Sequence, residues 1–174
     1  MVHSVVMIDR QTESHEERAS HVRVHFDLEV DEDGWPPVGT ESMWALPSTE
    51  PGLVELANTP WFVRGLAIGD IIRVAADSAG LLRMTEHVSW SGNCTIRIIP
   101  YRSGPLAGDL QQVIDTFASL GANYEGLQQY GMVAVSIPPH ADLSAVKRLL
   151  RQGERDGWWA YDEGCIGDEW DEAG

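Results

Sequence analysis

The chain has 174 residues, 43% of them hydrophobic, with 27 acidic against 12 basic side chains and a formal net charge of −15. That length folds as one large domain or two small packed ones, and it buries roughly 70% of its unfolded surface without staples. The charge argues against sequence-independent binding to nucleic acid, which needs Lys and Arg against phosphate, and against an anionic membrane surface, and it favours steering toward basic partners.

No apolar run approaches the ~18 residues of a membrane helix, and the N-terminus lacks the pattern of a signal peptide. The two thiols, Cys94 and Cys165, suit a reducing compartment, so a cytoplasmic protein is expected. The acids cluster, five between Asp27 and Asp33 and eight between Glu154 and Gly174.

Residues 1–19 are polar and aperiodic, which predicts a loosely ordered arm carrying His3 and His15. From 20 to 30 the chain alternates: Val22, Val24, Phe26, Leu28 and Val30 point one way, and His21, Arg23, His25, Asp27 and Glu29 the other. Period two predicts a half-buried strand. His21 and His25 on its wet face read as solvated polar groups; no third ligand completes a metal site. After an Asp–Gly turn and the stiff Trp35-Pro36-Pro37, strands are expected at 41–46, 52–57, 71–76, 81–90 and 94–101. Short strands at this spacing predict a small barrel or curved antiparallel sheet over 20–93, and residues 58–70 read as a rigid connector within it.

Beyond Tyr101 the period lengthens. Leu110, Val113, Ile114, Phe117 and Leu120 share one helical face, with Asp109 as N-cap and Gly121 just past the end. Strands follow at 122–127 and 132–137. A second helix begins at Asp142 and carries Leu143, Val146, Leu149 and Leu150, with Lys147, Arg148 and Arg151 toward its cation-favouring C-terminal half. A last strand spans 158–162 and an acidic solvated tail 164–174. The order βαββαβ over 94–163 predicts a ferredoxin-like unit with strand 94–101 central, so the fold class expected is α+β.

The segments Trp35-Pro36-Pro37, Glu41-Ser42-Met43-Trp44-Ala45 and Pro60-Trp61-Phe62-Val63-Arg64-Gly65 with Gly69-Asp70 carry a resemblance. So do Val135-Ser136-Ile137-Pro138-Pro139 and Tyr161-Asp162-Glu163-Gly164-Cys165. Over about 20–166 the chain resembles a bacterial domain family of unknown function, familiar from actinobacteria. The resemblance implies one unit and carries over no activity. Other small acidic families of this kind look like immunity proteins that neutralise toxins, which is an analogy between families.

No P-loop, dinucleotide Gly fingerprint, His-Glu-x-x-His, Cys-x-x-Cys or Gly-x-Ser-x-Gly occurs, so neither cofactor nor metal is expected. The densest polar–aromatic set is Trp35, Glu41, Trp44, Trp61, Arg64 and Asp70. It reads either as a structural Arg–carboxylate pair with packing tryptophans or as a site where Arg64 orients an anionic or peptidic ligand, with Glu41 or Asp70 as a general base in the catalytic version. Cys165 would be a nucleophile only with His87 or His140 beside it, and its acidic flanks argue against that. Seven tryptophans, Trp158-Trp159 among them, serve either a core or a protein interface.

The leading expectation is a non-enzymatic acidic module that captures a basic protein, as an immunity-type protein would. The alternative is a small enzyme or small-molecule-binding regulator with a site at the junction of the two parts.

Overall fold

The computed structural model describes residues 21–173; the expected arm, with His3 and His15, lies outside them. Five strands come first: β1 (Val22–Asp27), β2 (Thr40–Pro47), β3 (Leu53–Leu56), β4 (Ile71–Ala76) and β5 (Leu82–Ser89). Then follow β6 (Cys94–Pro100), α1 (Leu110–Ala118), β7 (Asn123–Leu127), β8 (Met132–Ile137), α2 (Leu143–Arg155), β9 (Trp159–Cys165) and α3 (Asp168–Glu172), with a short 3-10 turn at Gln128–Tyr130. The fold is mixed α+β. No described helix is long and apolar enough to cross a membrane.

The first sheet pairs β1 to β5 antiparallel in sequence order, and a short parallel contact, Val24↔Leu82 and His25↔Arg83, returns β5 to β1. This is not a clean barrel. Val24, Phe26, Met43, Ala45, Val54, Leu56 and Ile72 fill its core together with Val63 and Leu66 of the connector, and β5 contributes no buried residue to it. Every residue from 84 to 90 is exposed. The β4–β5 ladder shows why: its register shifts twice, so that Thr85 and Val88 are extra residues on β5. Each such bulge breaks the inward–outward alternation that would commit one face to the core. The alternation expected over 20–30 ends earlier, at Asp27, and Val30 is left exposed. There the chain turns, with Asp31 accepting the Asp33 and Trp35 N–H groups.

The second sheet has the order β7-β8-β6-β9, all antiparallel, with β6 in the interior. Ile96 and Ile98 of β6 and Val133, Val135 and Ile137 of β8 pack under Val113, Ile114 and Phe117 of α1 and Val146 and Leu150 of α2. Both helices start at the expected caps. Asp109 accepts the N–H groups of Gln111 and Gln112, and Asp142 that of Ala145.

Two expectations for the C-terminal part are corrected. The last strand runs on to Cys165, and the acidic segment after it is no solvated tail: it forms α3, whose Trp170 is 1% exposed. Trp170 Nε1 donates to Glu163, and the Lys147 ammonium, 6% exposed, donates to the Trp170 carbonyl at 2.6 Å. Lys147 therefore sits under α3, where its partner is a main-chain carbonyl as well as the helix dipole invoked from sequence. Trp159 is fully buried and Trp158 partly so, each ring edge-on to the other.

Candidate functional site

The connector 58–70 is the piece around which charged groups gather. It follows β3 and lies against the face of the second sheet turned away from α1 and α2. Trp61 and Phe62 pack with Leu127, Met132 and Ala134. Thr95 Oγ1 donates to the Leu66 carbonyl, Asn93 Nδ2 to that of Ile68, and the Gly65 N–H to that of Gly164. The exposed main-chain N–H groups of such a loop need acceptors when buried.

Glu41 supplies them. It is 7% exposed, and its two carboxylate oxygens accept the N–H groups of Trp61, Phe62 and Val63 at 2.7, 2.8 and 2.9 Å. Asp70 works the same way at the other end: fully buried, it accepts from Ala67 N–H and Ser91 N–H, and its Oδ2 lies 3.0 Å from His87 Nε2. Arg64 pairs with neither. It is exposed, and its guanidinium donates to Asp162 at 2.7 Å. The other oxygen of Asp162 accepts from Arg97 at 2.7 Å. Arg97 is 4% exposed, donates also to the Val63 carbonyl, and lies beneath Gly164, where a Cβ would stand 2.8 Å from the guanidinium carbon. Burial lowers the Arg97 pKa, against the opposing effect of Asp162.

Of the six residues singled out by sequence, five lie in or against the connector. Trp35 packs edge-on against Phe62, 5.5 Å between centroids, near Glu41, Trp61 and Arg64. The ring of Trp44 is elsewhere, with Arg23 stacked 4.3 Å over it, and Asp70 closes the connector just before β4. The structure adds four polar groups: Arg97, Asp162, His87 and Glu125. Glu125 of β7 accepts the Thr59 N–H at 2.9 Å, and burial pushes its carboxyl up to about 7, with the Glu41 charge adding to the rise. Asp162 fell within one of the segments that carry the family resemblance and His87 was weighed as a base for Cys165, Arg97 stands out as the lone charge in the run 94–100, and Glu125 had no such signal.

His25 accepts or donates with the Ser42 hydroxyl at 2.8 Å, and among the described residues no group of three or more His, Cys, Asp or Glu is placed to hold a metal. Both cysteines are free and buried. Cys94 belongs to the core under the helices, whereas Cys165, opposite Thr95 in the ladder, lies on the other face toward Asp70. Burial pushes the Cys165 thiol up to about 11, which leaves it protonated and unreactive at neutral pH. Two open grooves are described. One, of about 450 Å³, is lined by His25, Phe26, Asp27, Asp77, Arg83 and Met84; the other, of about 410 Å³, includes His21, Glu55, Asn93 and Ser136. Neither is lined by Arg64, Glu41 or Asp70.

Residues 41–161 match the family described as "Domain of unknown function (DUF4265)". The chain belongs to this family. The matched span opens on Glu41 itself, takes in the connector, Arg97 and Glu125, and so reaches into both sheets while leaving out β1. The fold is similar to that of a crystal structure described as a hypothetical protein from Neisseria gonorrhoeae. The TM-score is 0.63 at 20% identity, over 85% of this chain and 95% of that one. No curated protein matches.

Proposed function

We propose that this member of the family is a non-enzymatic, acidic protein-binding module whose partner is a basic protein, acting in the cytoplasm. The observation that carries this reading is how the charge is distributed. The interior carboxylates Glu41 and Asp70 are engaged by N–H groups of their own chain, and 18 of the 23 described Asp and Glu residues are exposed. Such a surface steers association with cations over a Debye length of about 8 Å at physiological salt. Neutralising a basic toxin, as immunity proteins do, is the specific role we favour. The strand order of the second sheet and its two helices favour the ferredoxin-like description, a scaffold that serves many functions and decides none of them.

The test is co-purification with mass spectrometry in low salt and again in high salt. A basic protein recovered repeatedly in low salt and released by high salt is expected. Repeated recovery of no basic protein refutes the reading.

A second reading keeps a small-molecule site at the junction, acting as enzyme or regulator. Its footing is that Trp61 Nε1 and Arg97 Nε, both buried there, have no hydrogen-bond partner among the described residues. Native mass spectra that show a co-purifying small molecule, lost in Arg97→Met, would favour it over the first.

A further inference from the structure

We infer that the partner docks where β1 and β5 part, and that it presents there a short extended segment in which Lys or Arg alternates with apolar residues. This rests on the binding-module reading above and names its surface.

Three observations meet at this place. First, β1 and β5 pair through the main chain only at Val24↔Leu82 and His25↔Arg83, and beyond that pairing they flank the groove of about 450 Å³. Its apolar lining is Phe26 and Met84, and Asp27 and Asp77 are its acidic lining. Second, among the described residues β5 beyond Arg83 is hydrogen-bonded to β4 alone, and Met84 and Val88 are 37% and 41% exposed. A strand bare on both faces and open along one edge offers main-chain groups and apolar side chains together. The bulges at Thr85 and Val88 prevent a long regular ladder, which suits a short segment and disfavours open-ended strand addition.

Third, the cations of this surface are outnumbered pair by pair. Arg83 is shared by Asp27 and Asp77, at 2.8 and 3.0 Å, and Arg73 by Glu86 and Glu50, at 3.0 and 3.7 Å. Each arginine therefore leaves one carboxylate charge uncompensated, and Asp27 is 78% exposed. Two cations arriving from outside would complete both sets. That pattern favours a basic partner over a second copy of this chain, since two bodies of net charge −15 repel.

The probe is a capped heptapeptide of alternating lysine and valine, titrated to about 1 mM into the full chain, with amide chemical shifts and hydrogen exchange as readouts. Shifts centred on 82–89 and Asp27 are expected, with exchange at some amides of 84–89 slowed about tenfold. Met84→Ser with Val88→Ser, both surface changes, should weaken binding at least about fivefold, whereas Asp168→Asn with Asp171→Asn on α3 should weaken it less than about twofold. Shifts centred on α3, or equal affinity in the Met84/Val88 variant, overturn the assignment of the surface. So do amides of 84–89 already protected in the free monomer, which would mean that the chain covers its own edge, and a concentration-dependent dimer lost in that variant. Co-purification separates the two levels. A basic protein held equally by wild type and the Met84/Val88 variant refutes this surface and leaves the module standing, whereas no basic protein with either refutes both.

Discussion

Glu125 makes the junction between the sheets sensitive to pH in a direction that can be worked out. Its carboxyl is raised from an ordinary 4.5 to about 7, first by burial and then by the Glu41 charge, while the Thr59 N–H pulls the other way. The folded chain therefore holds a proton that the unfolded chain releases. Below pH 4.5 both forms are protonated and Glu125 adds no pH dependence. Between 4.5 and about 7 the unfolded chain binds fewer protons than the folded one, so stability falls as pH rises, and above about 7 the loss is complete. At roughly 1.4 kcal/mol per pH unit the whole fall is about 3 kcal/mol, and partial solvent access reduces it to about 1–3 kcal/mol. Glu125→Gln keeps an oxygen for the Thr59 N–H and cannot ionise. Urea unfolding followed by tryptophan fluorescence should show the variant close to wild type near pH 5 and more stable by about 1–3 kcal/mol near pH 8. A difference between the two proteins that stays constant across that range would refute the reasoning.

Other consequences are as direct. Glu41→Gln sets an amide NH₂ against main-chain N–H groups now served by two oxygens, and should destabilise by about 2–4 kcal/mol in the same urea assay. Gly153→Ala would ordinarily gain about 1 kcal/mol of helix propensity. In α2 the new Cβ would fall 2.2 Å from the ring of the fully buried Trp159, so a net loss of about 1–3 kcal/mol is expected, read as a lower thermal midpoint. Trp170→Ala should cost about 3–5 kcal/mol by calorimetry and raise hydrogen exchange in α3.

The elements whose pattern is local were legible from sequence. The alternation of Val22, Val24 and Phe26 and the stripe Val113, Ile114 and Phe117 each report a buried face, because side-chain period is set by backbone geometry. The bareness of β5 was not legible, since bulges at Thr85 and Val88 arise from pairing with β4 and leave no mark on composition. Acidity hid α3 in the same way: one tryptophan among five acids between Glu163 and Glu172 reads as solvent-facing until Lys147 and Glu163 are seen to receive it. For the site, sequence placed Glu41, Trp61 and Arg64 in one neighbourhood, and it assigned Arg64 the wrong carboxylates. Asp162 lies 98 residues away along the chain, a separation that no spacing argument spans.

The polar contacts that join the connector to the second sheet constrain how this architecture can vary. Arg97 belongs to one half, and the Val63 carbonyl and the Glu41 charge beside it belong to the other. A chimera that took residues 21–93 from one family member and 94–173 from another would bring together guanidinium, carboxylates and loop amides selected apart. Any mismatch would strand a charge in a dry interior, a penalty of about 3–5 kcal/mol for a single missing partner. The two halves are thus tied in heredity as well as in space. Viable recombinants should be those in which Glu41, the 61–66 loop, Arg97 and Asp162 travel as one set, whatever happens to the exposed stretch of β5.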